Sequence, residues 1–188
     1  MIIALTGLKR TGKNTVTSYL KSQYEFEEYA FARPIKEISY KLFGWNPEDD
    51  ERLKESVDPV WGLTRREFWQ WFGTEAMQHH LPSAFPHYKE RVGREIWARM
   101  FENLYMKDPS IHYAISDFRF PHELELLKKL KAKTIKIINR NIKNLDMHES
   151  EMYIDSLKCD YVITNETTIG DLHIQVDKLM KAINCSKK

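Results

Sequence analysis

Gly7-Leu8-Lys9-Arg10-Thr11-Gly12-Lys13-Asn14-Thr15 is a glycine–x4–glycine–lysine run set between two segments of opposite character. Before it, residues 2–6 (Ile-Ile-Ala-Leu-Thr) form a short apolar run that reads as a buried strand. After it, residues 15–22 continue as a helix. A glycine-rich turn at a helix start offers backbone N–H groups and the positive end of the helix dipole to a chain of phosphates. Gly7 and Gly12 permit the tight turn and a close approach, and Lys13 reaches the terminal phosphates. The stretch therefore predicts a bound ATP cradled by residues 7–15.

The position directly after the lysine usually holds a Ser or Thr that ligates Mg²⁺. Here it is Asn14, with Thr15 next. Two readings stay open: Thr15 contacts the metal, or Mg²⁺ is held mostly through water. Residues 111–116 form a second apolar strand that delivers Asp117 to the sheet's carboxyl edge, where ligands of open α/β sheets sit. Asp117 is placed to orient Mg²⁺ or the acceptor, or to cap the helix beginning near Pro121. Arg119, two residues on, is placed to neutralise phosphate charge.

Shorter strands are expected at 28–31, 134–138 and 161–164, and helices at 121–130, 147–157 (looser) and 169–183, the last with Thr168 as N-cap. Strands alternating with helices predict a three-layer α/β/α fold around a parallel five-stranded sheet. One crossover is anomalous. Between residues 31 and 111 the chain spends roughly eighty residues where a βαβ unit needs a dozen or more. That stretch is rich in Trp and Phe and reads as a helical insertion, about 34–110, within a single domain of residues 1–188.

Arg33 and Lys36 open the insertion close enough together to bracket an anion at a helix start. Thr64 and Glu67 form a capping box ahead of apolar residues. Phe68, Trp71 and Phe72 are expected to share an inward face. Arg66, Gln70 and Gly73, at i, i+4 and i+7, line another. A mid-helix glycine costs about 1 kcal/mol against alanine, so something approaches that face closely. A guanidinium for phosphate, an amide for a base edge and a gap at glycine make a nucleotide acceptor site.

The hydrophobic fraction of 42% and charged fraction of 30% are those of an ordinary globular chain. No apolar run approaches the roughly 20 residues of a membrane helix, and the amino terminus has no signal-peptide pattern. A net charge of +2 argues against a non-specific nucleic-acid coat. Cys159 and Cys185 match no metal spacing and read as free thiols in a reducing cytosol. His122-Glu123 and His148-Glu149 lack the spacing of a zinc site.

Several pieces, in order along nearly the whole chain, resemble the deoxynucleoside monophosphate kinases of T-even-type bacteriophages. They are residues 7–15, Pro34-Ile35-Lys36, Arg66 through Gln70 to Gly73-Thr74-Glu75, Trp97, Asp117-Phe118-Arg119 with His122-Glu123, His148-Glu149-Ser150-Glu151, and Asp160-Tyr161-Val162-Ile163-Thr164-Asn165. The resemblance implies an adenylate-kinase-like fold and ATP-dependent phosphorylation of a deoxynucleoside monophosphate. It implies that Lys36, Arg66, Gly73, Thr74, Trp97, Asp117, Arg119 and Glu123 belong to the acceptor site; Arg33, Gln70 and Glu75 are expected there as well, from their own place in the insertion. It places Arg140 in or beside a lid of about 139–157, where it completes the charge clamp, and Asn165 near the ATP base. The chain departs from that family's pattern at Asn14, where the phage enzyme has aspartate, and at Arg33, where it has glycine. It is also shorter, with part of the insertion missing. Small nucleotides are the expected partners, with no stable nucleic-acid or membrane partner; a homodimer is compatible, and the expected location is the cytoplasm, of the host if the source is viral. Two rival readings are another small-molecule P-loop kinase, like dephospho-CoA kinase, and a non-catalytic module binding nucleotides or single strands.

Overall fold

The computed structural model describes residues 1–142 and 149–183, which form two compact units. One comprises Met1–Ala30 and the chain from Phe101 onward; the other is Phe31–Met100.

The first unit holds a five-stranded sheet in the order β2-β3-β1-β4-β5, every pair parallel. Its strands are β1 (Ile2–Thr6), β2 (Glu27–Tyr29), β3 (Tyr113–Ile115), β4 (Lys133–Ile138) and β5 (Tyr161–Thr164). β1 is central, which explains its unbroken apolar run: all five of its residues are buried. Ala4 pairs with Ile115 on one side and Thr134 on the other, so β3 ends level with Ala4 while β1 runs on to Thr6 at the carboxyl edge. Helix α1 (Lys13–Tyr24) and the last helix, α10 (Ile169–Ala182), share an apolar layer with the sheet. Val16 and Leu20 of α1 and Leu172, Val176 and Met180 of α10 cluster with Ile3, Leu5, Ile135, Ile137 and Ile163. Thr168 caps α10 as expected, its hydroxyl accepting the Asp171 N–H at 3.1 Å. This is the parallel five-stranded α/β architecture that the strand–helix alternation predicted.

The second unit is helical. It contains α2 (Arg33–Phe43), α3 (Asp50–Leu53), α4 (Arg65–Gln70), a π-helical segment (Trp71–His80), α5 (Leu81–Ala84), α6 (Pro86–Arg91) and the start of α7 (Ile96–Lys107). The capping box at α4 is formed: Thr64 Oγ1 accepts from Glu67 N at 3.0 Å, and Glu67 Oε2 accepts from Thr64 N at 2.8 Å. The inward aromatic face holds at Phe68 but fails at Trp71, which is 51% exposed. The wider π-helical turn begins at Trp71, so the 3.6-residue phase that grouped it with Phe68 no longer applies.

Back in the first unit, α8 (Pro121–Lys129) precedes β4. The looser helix expected at 147–157 is α9 (Glu149–Met152) followed by a 3₁₀ turn at Ile154–Ser156. Residues 143–148 and 184–188 lie outside the described residues, so part of the expected lid, His148 and Cys185 are not placed. Cys159 is a free thiol. No helix among the described residues is long and apolar enough to cross a membrane.

Candidate active site

β1 ends at Thr6, the chain turns through residues 7–12, and α1 begins at Lys13. The turn admits no side chain at its two glycines. Gly7 has φ 147°, and a Cβ there would lie 2.4 Å from the Ile137 carbonyl oxygen. Gly12 has φ 102°, and a Cβ there would lie 2.6 Å from Asn165 Nδ2. The turn is held from inside and outside. Thr11 Oγ1 donates to the Leu8 carbonyl at 2.9 Å, and Asn165 Nδ2 donates to the Thr11 carbonyl at 2.9 Å. Asn165 is itself anchored by its own N–H, which donates to Ile138 O at 2.8 Å. Gly12 supplies α1 with no side-chain cap, so the helix's first N–H groups are available to an anion.

Lys13 is 9% exposed and donates to the carbonyls of Gly7 at 2.7 Å and Leu8 at 2.8 Å. An ammonium has three protons, so the loop's own backbone occupies two of them. Burial, with a smaller push from Arg119, lowers its pKa to about 7; Asp117 works the other way. Asp117 and Arg119 are thus close enough to act on Lys13 electrostatically, as expected of residues at the end of β3. A tight N–H-lined turn, a buried lysine and an adjacent carboxylate fit a polyphosphate with its divalent cation.

Glu123, 4% exposed, takes the role at α8 that Asp117 was a candidate for. The helix's N-cap is Phe120, and Glu123 Oε2 accepts from the N–H of Arg119 at 2.7 Å and of Phe120 at 3.0 Å. Burial drives its pKa up to about 7 against those two hydrogen bonds, with Asp117 adding to the rise. Glu123 therefore clamps the backbone of residues 119–120 and lies in the field of Asp117 and Arg119.

Of the remaining expected residues in this unit, Asn14 is exposed and Thr15 partly buried. Arg140 is largely exposed, with Nε 3.6 Å from Glu166 Oε1. Asn165, expected near the ATP base, has its amide on the loop backbone.

In the helical unit the close approach expected at Gly73 is made by Ile35, whose Cδ1 lies 2.6 Å from where a Cβ would stand. The Gly73 carbonyl accepts from Trp97 Nε1 at 2.8 Å, so Gly73 and Trp97 meet as a packed pair. Thr74 is buried, Gln70 and Glu75 are partly buried, and Arg33 is exposed. Arg66 Nη1 lies 3.7 Å from Glu55 Oε1. Lys36 donates to Asp50 Oδ2 at 3.0 Å, and Arg65 Nη1 donates to Asp50 Oδ1 at 2.6 Å. Neither Asp50 nor Arg65 stood out in the sequence: Asp50 sits in an ordinary acidic run and meets its partners only across 14 and 15 residues of chain.

A sequence model of the deoxynucleotide monophosphate kinase family matches residues 1–68 and 61–176. A protein of Acanthamoeba polyphaga mimivirus that carries that name is 33% identical over 181 residues, covering 94% of each chain. The deoxynucleotide monophosphate kinase of Escherichia phage RB69 is 19% identical, covering 96% of this chain and 99% of its own. Among solved structures, a dephospho-CoA kinase from Campylobacter jejuni aligns over 97% of this chain and 96% of its own, with 19% identity and a TM-score of 0.47. The family match covers most of the chain and the mimivirus relative nearly all of it: this chain belongs to the deoxynucleotide monophosphate kinase family.

Proposed function

We propose that the enzyme transfers the γ-phosphoryl group of ATP to a deoxynucleoside monophosphate, releasing ADP and the diphosphate. The observation that carries this reading is the Lys13 ammonium, buried in a cradle that excludes side chains and flanked by Asp117 and Arg119. An oxygen of the acceptor phosphate attacks the γ-phosphorus as the bond to the β–γ bridging oxygen breaks, and that oxygen leaves with the electron pair on ADP. The attacking oxygen is already anionic, so no general base is needed; positioning and charge neutralisation carry the catalysis.

Lys13 and the loop N–H groups hold the donor phosphates. Asp117 and Thr15 would hold Mg²⁺, directly or through water, and the cation would neutralise charge on the donor phosphates. Lys36, Arg66 and Arg119 hold the acceptor phosphate, with Arg33, Gln70, Thr74 and Glu75 supporting its nucleoside. Arg140 adds charge to the clamp from a lid of about 139–157 that excludes water. The whole chain is one kinase domain on this reading, acting on small nucleotides in the cytoplasm, of the host if the source is a virus.

Lys13→Ala tests it. Turnover is expected to fall about a hundredfold or more while thermal unfolding stays cooperative. Near-wild-type turnover in the folded variant would contradict it.

A further inference from the structure

At the heart of the helical unit one carboxylate serves three donors. Asp50 Oδ2 accepts from Lys36 Nζ at 3.0 Å and from the Tyr40 hydroxyl at 2.5 Å, and Oδ1 accepts from Arg65 Nη1 at 2.6 Å. The Arg65 group also donates to the Asn46 carbonyl at 2.8 Å and lies over the Trp45 ring. The two cations differ in one respect. The Arg65 side chain is 6% exposed, whereas that of Lys36 is 34% exposed.

Arg65 alone would neutralise Asp50, so structural need ends with that pair. Lys36 is an additional cation, and the chain goes to some length to fix it. Its ammonium sits 4.4 Å from the centre of the Trp69 ring. That ring is pinned in turn by Trp69 Nε1 donating to Ser39 Oγ at 2.9 Å, and Ser39 Oγ donates to the Lys36 carbonyl at 2.7 Å. A lysine side chain ordinarily carries rotamer entropy that a ligand must overcome. Here the protein has already removed that freedom, which is the signature of a preorganised anion contact. Two further carboxylates lie in the field of these cations, and each has a partner of its own: Glu51, exposed, pairs with Lys54 at 2.5 Å, and Asp58 accepts from Trp45 Nε1 at 2.8 Å.

We infer that Asp50 is a positioning residue for the acceptor's phosphate: anchored by buried Arg65 and by Tyr40, it holds the Lys36 ammonium in place to meet a phosphate monoester. The inference rests on the reading of Lys36 given under the proposed function. Asp50 does not touch the acceptor; it acts through Lys36.

The test is a double-mutant cycle in steady-state kinetics with saturating ATP and varied deoxynucleoside monophosphate. Lys36→Met and Asp50→Asn are each expected to raise the monophosphate KM about tenfold, with the ATP KM within about twofold of wild type. The double variant is expected to match Lys36→Met alone, because Asp50 has nothing to position once the ammonium is gone. Tyr40→Phe, which removes a donor but no charge, gives a smaller rise that also vanishes in the Lys36→Met background; it carries the test if Asp50→Asn does not fold. An unmoved KM in folded Lys36→Met, or an Asp50 effect that adds in full to it, overturns the inference while wild-type turnover leaves the proposed function standing. A wild-type enzyme that phosphorylates no monophosphate overturns both.

Discussion

Lys13 and Glu123 carry opposite charges, and burial disfavours the charged form of both. For Glu123 the folded pKa is about 7 against an ordinary 4.5, so its contribution to stability is whole below pH 4.5 and is lost as pH rises to about 7. For Lys13 the folded pKa is about 7 against 10.5, so its contribution is whole above pH 10.5 and is lost as pH falls to about 7. Together they place a shallow trough of stability near neutral pH. Thermal melts across pH should show the acid-side fall flattened in Glu123→Gln and the alkaline-side rise flattened in Lys13→Met. Profiles of both variants that parallel wild type would contradict the burial of these charges. The charges themselves were visible in the sequence only as motif members. Their burial was not, because Glu123 is enclosed by a backbone turn that no spacing rule encodes.

At the scale of elements, the phosphate-binding turn was the most legible feature, since strand, glycines, lysine and helix follow one another within fifteen residues. Its outer support was not legible as such: Asn165 reaches the turn from the end of β5, 154 residues away in sequence. The two glycines differ in what they exclude. A Cβ at Gly7 meets a backbone carbonyl of β4, which cannot swing aside; one at Gly12 meets the Asn165 side chain, which can. Gly7→Ala should therefore lower the melting temperature more than Gly12→Ala, each including about 1–3 kcal/mol of backbone strain. Asn165→Ala should recover part of the Gly12→Ala loss and none of the Gly7→Ala loss. Equal losses, or rescue of Gly7→Ala, would show that the turn is held otherwise. The insertion was legible only in part. Its capping box followed from residue types, but the π-helical segment shifted Trp71 outward, and the close approach read at Gly73 proved to be Ile35.

For the whole molecule, the alternating part of the chain was readable because a parallel strand buried on both sides leaves a continuous apolar run, as in residues 2–6. The helical unit resisted because its short helices are fixed by contacts across irregular turns, with Asp50 at their centre. Sequence and structure thus agree on a five-stranded parallel sheet with a glycine turn between its central strand and α1, and the chain belongs to the deoxynucleotide monophosphate kinase family. The direct measurement is ADP release from ATP across all the nucleoside monophosphates and dephospho-CoA. ADP and a matching diphosphate are expected with at least one deoxynucleoside monophosphate, and none with dephospho-CoA. Release with dephospho-CoA alone, or with no monophosphate at all, would contradict it.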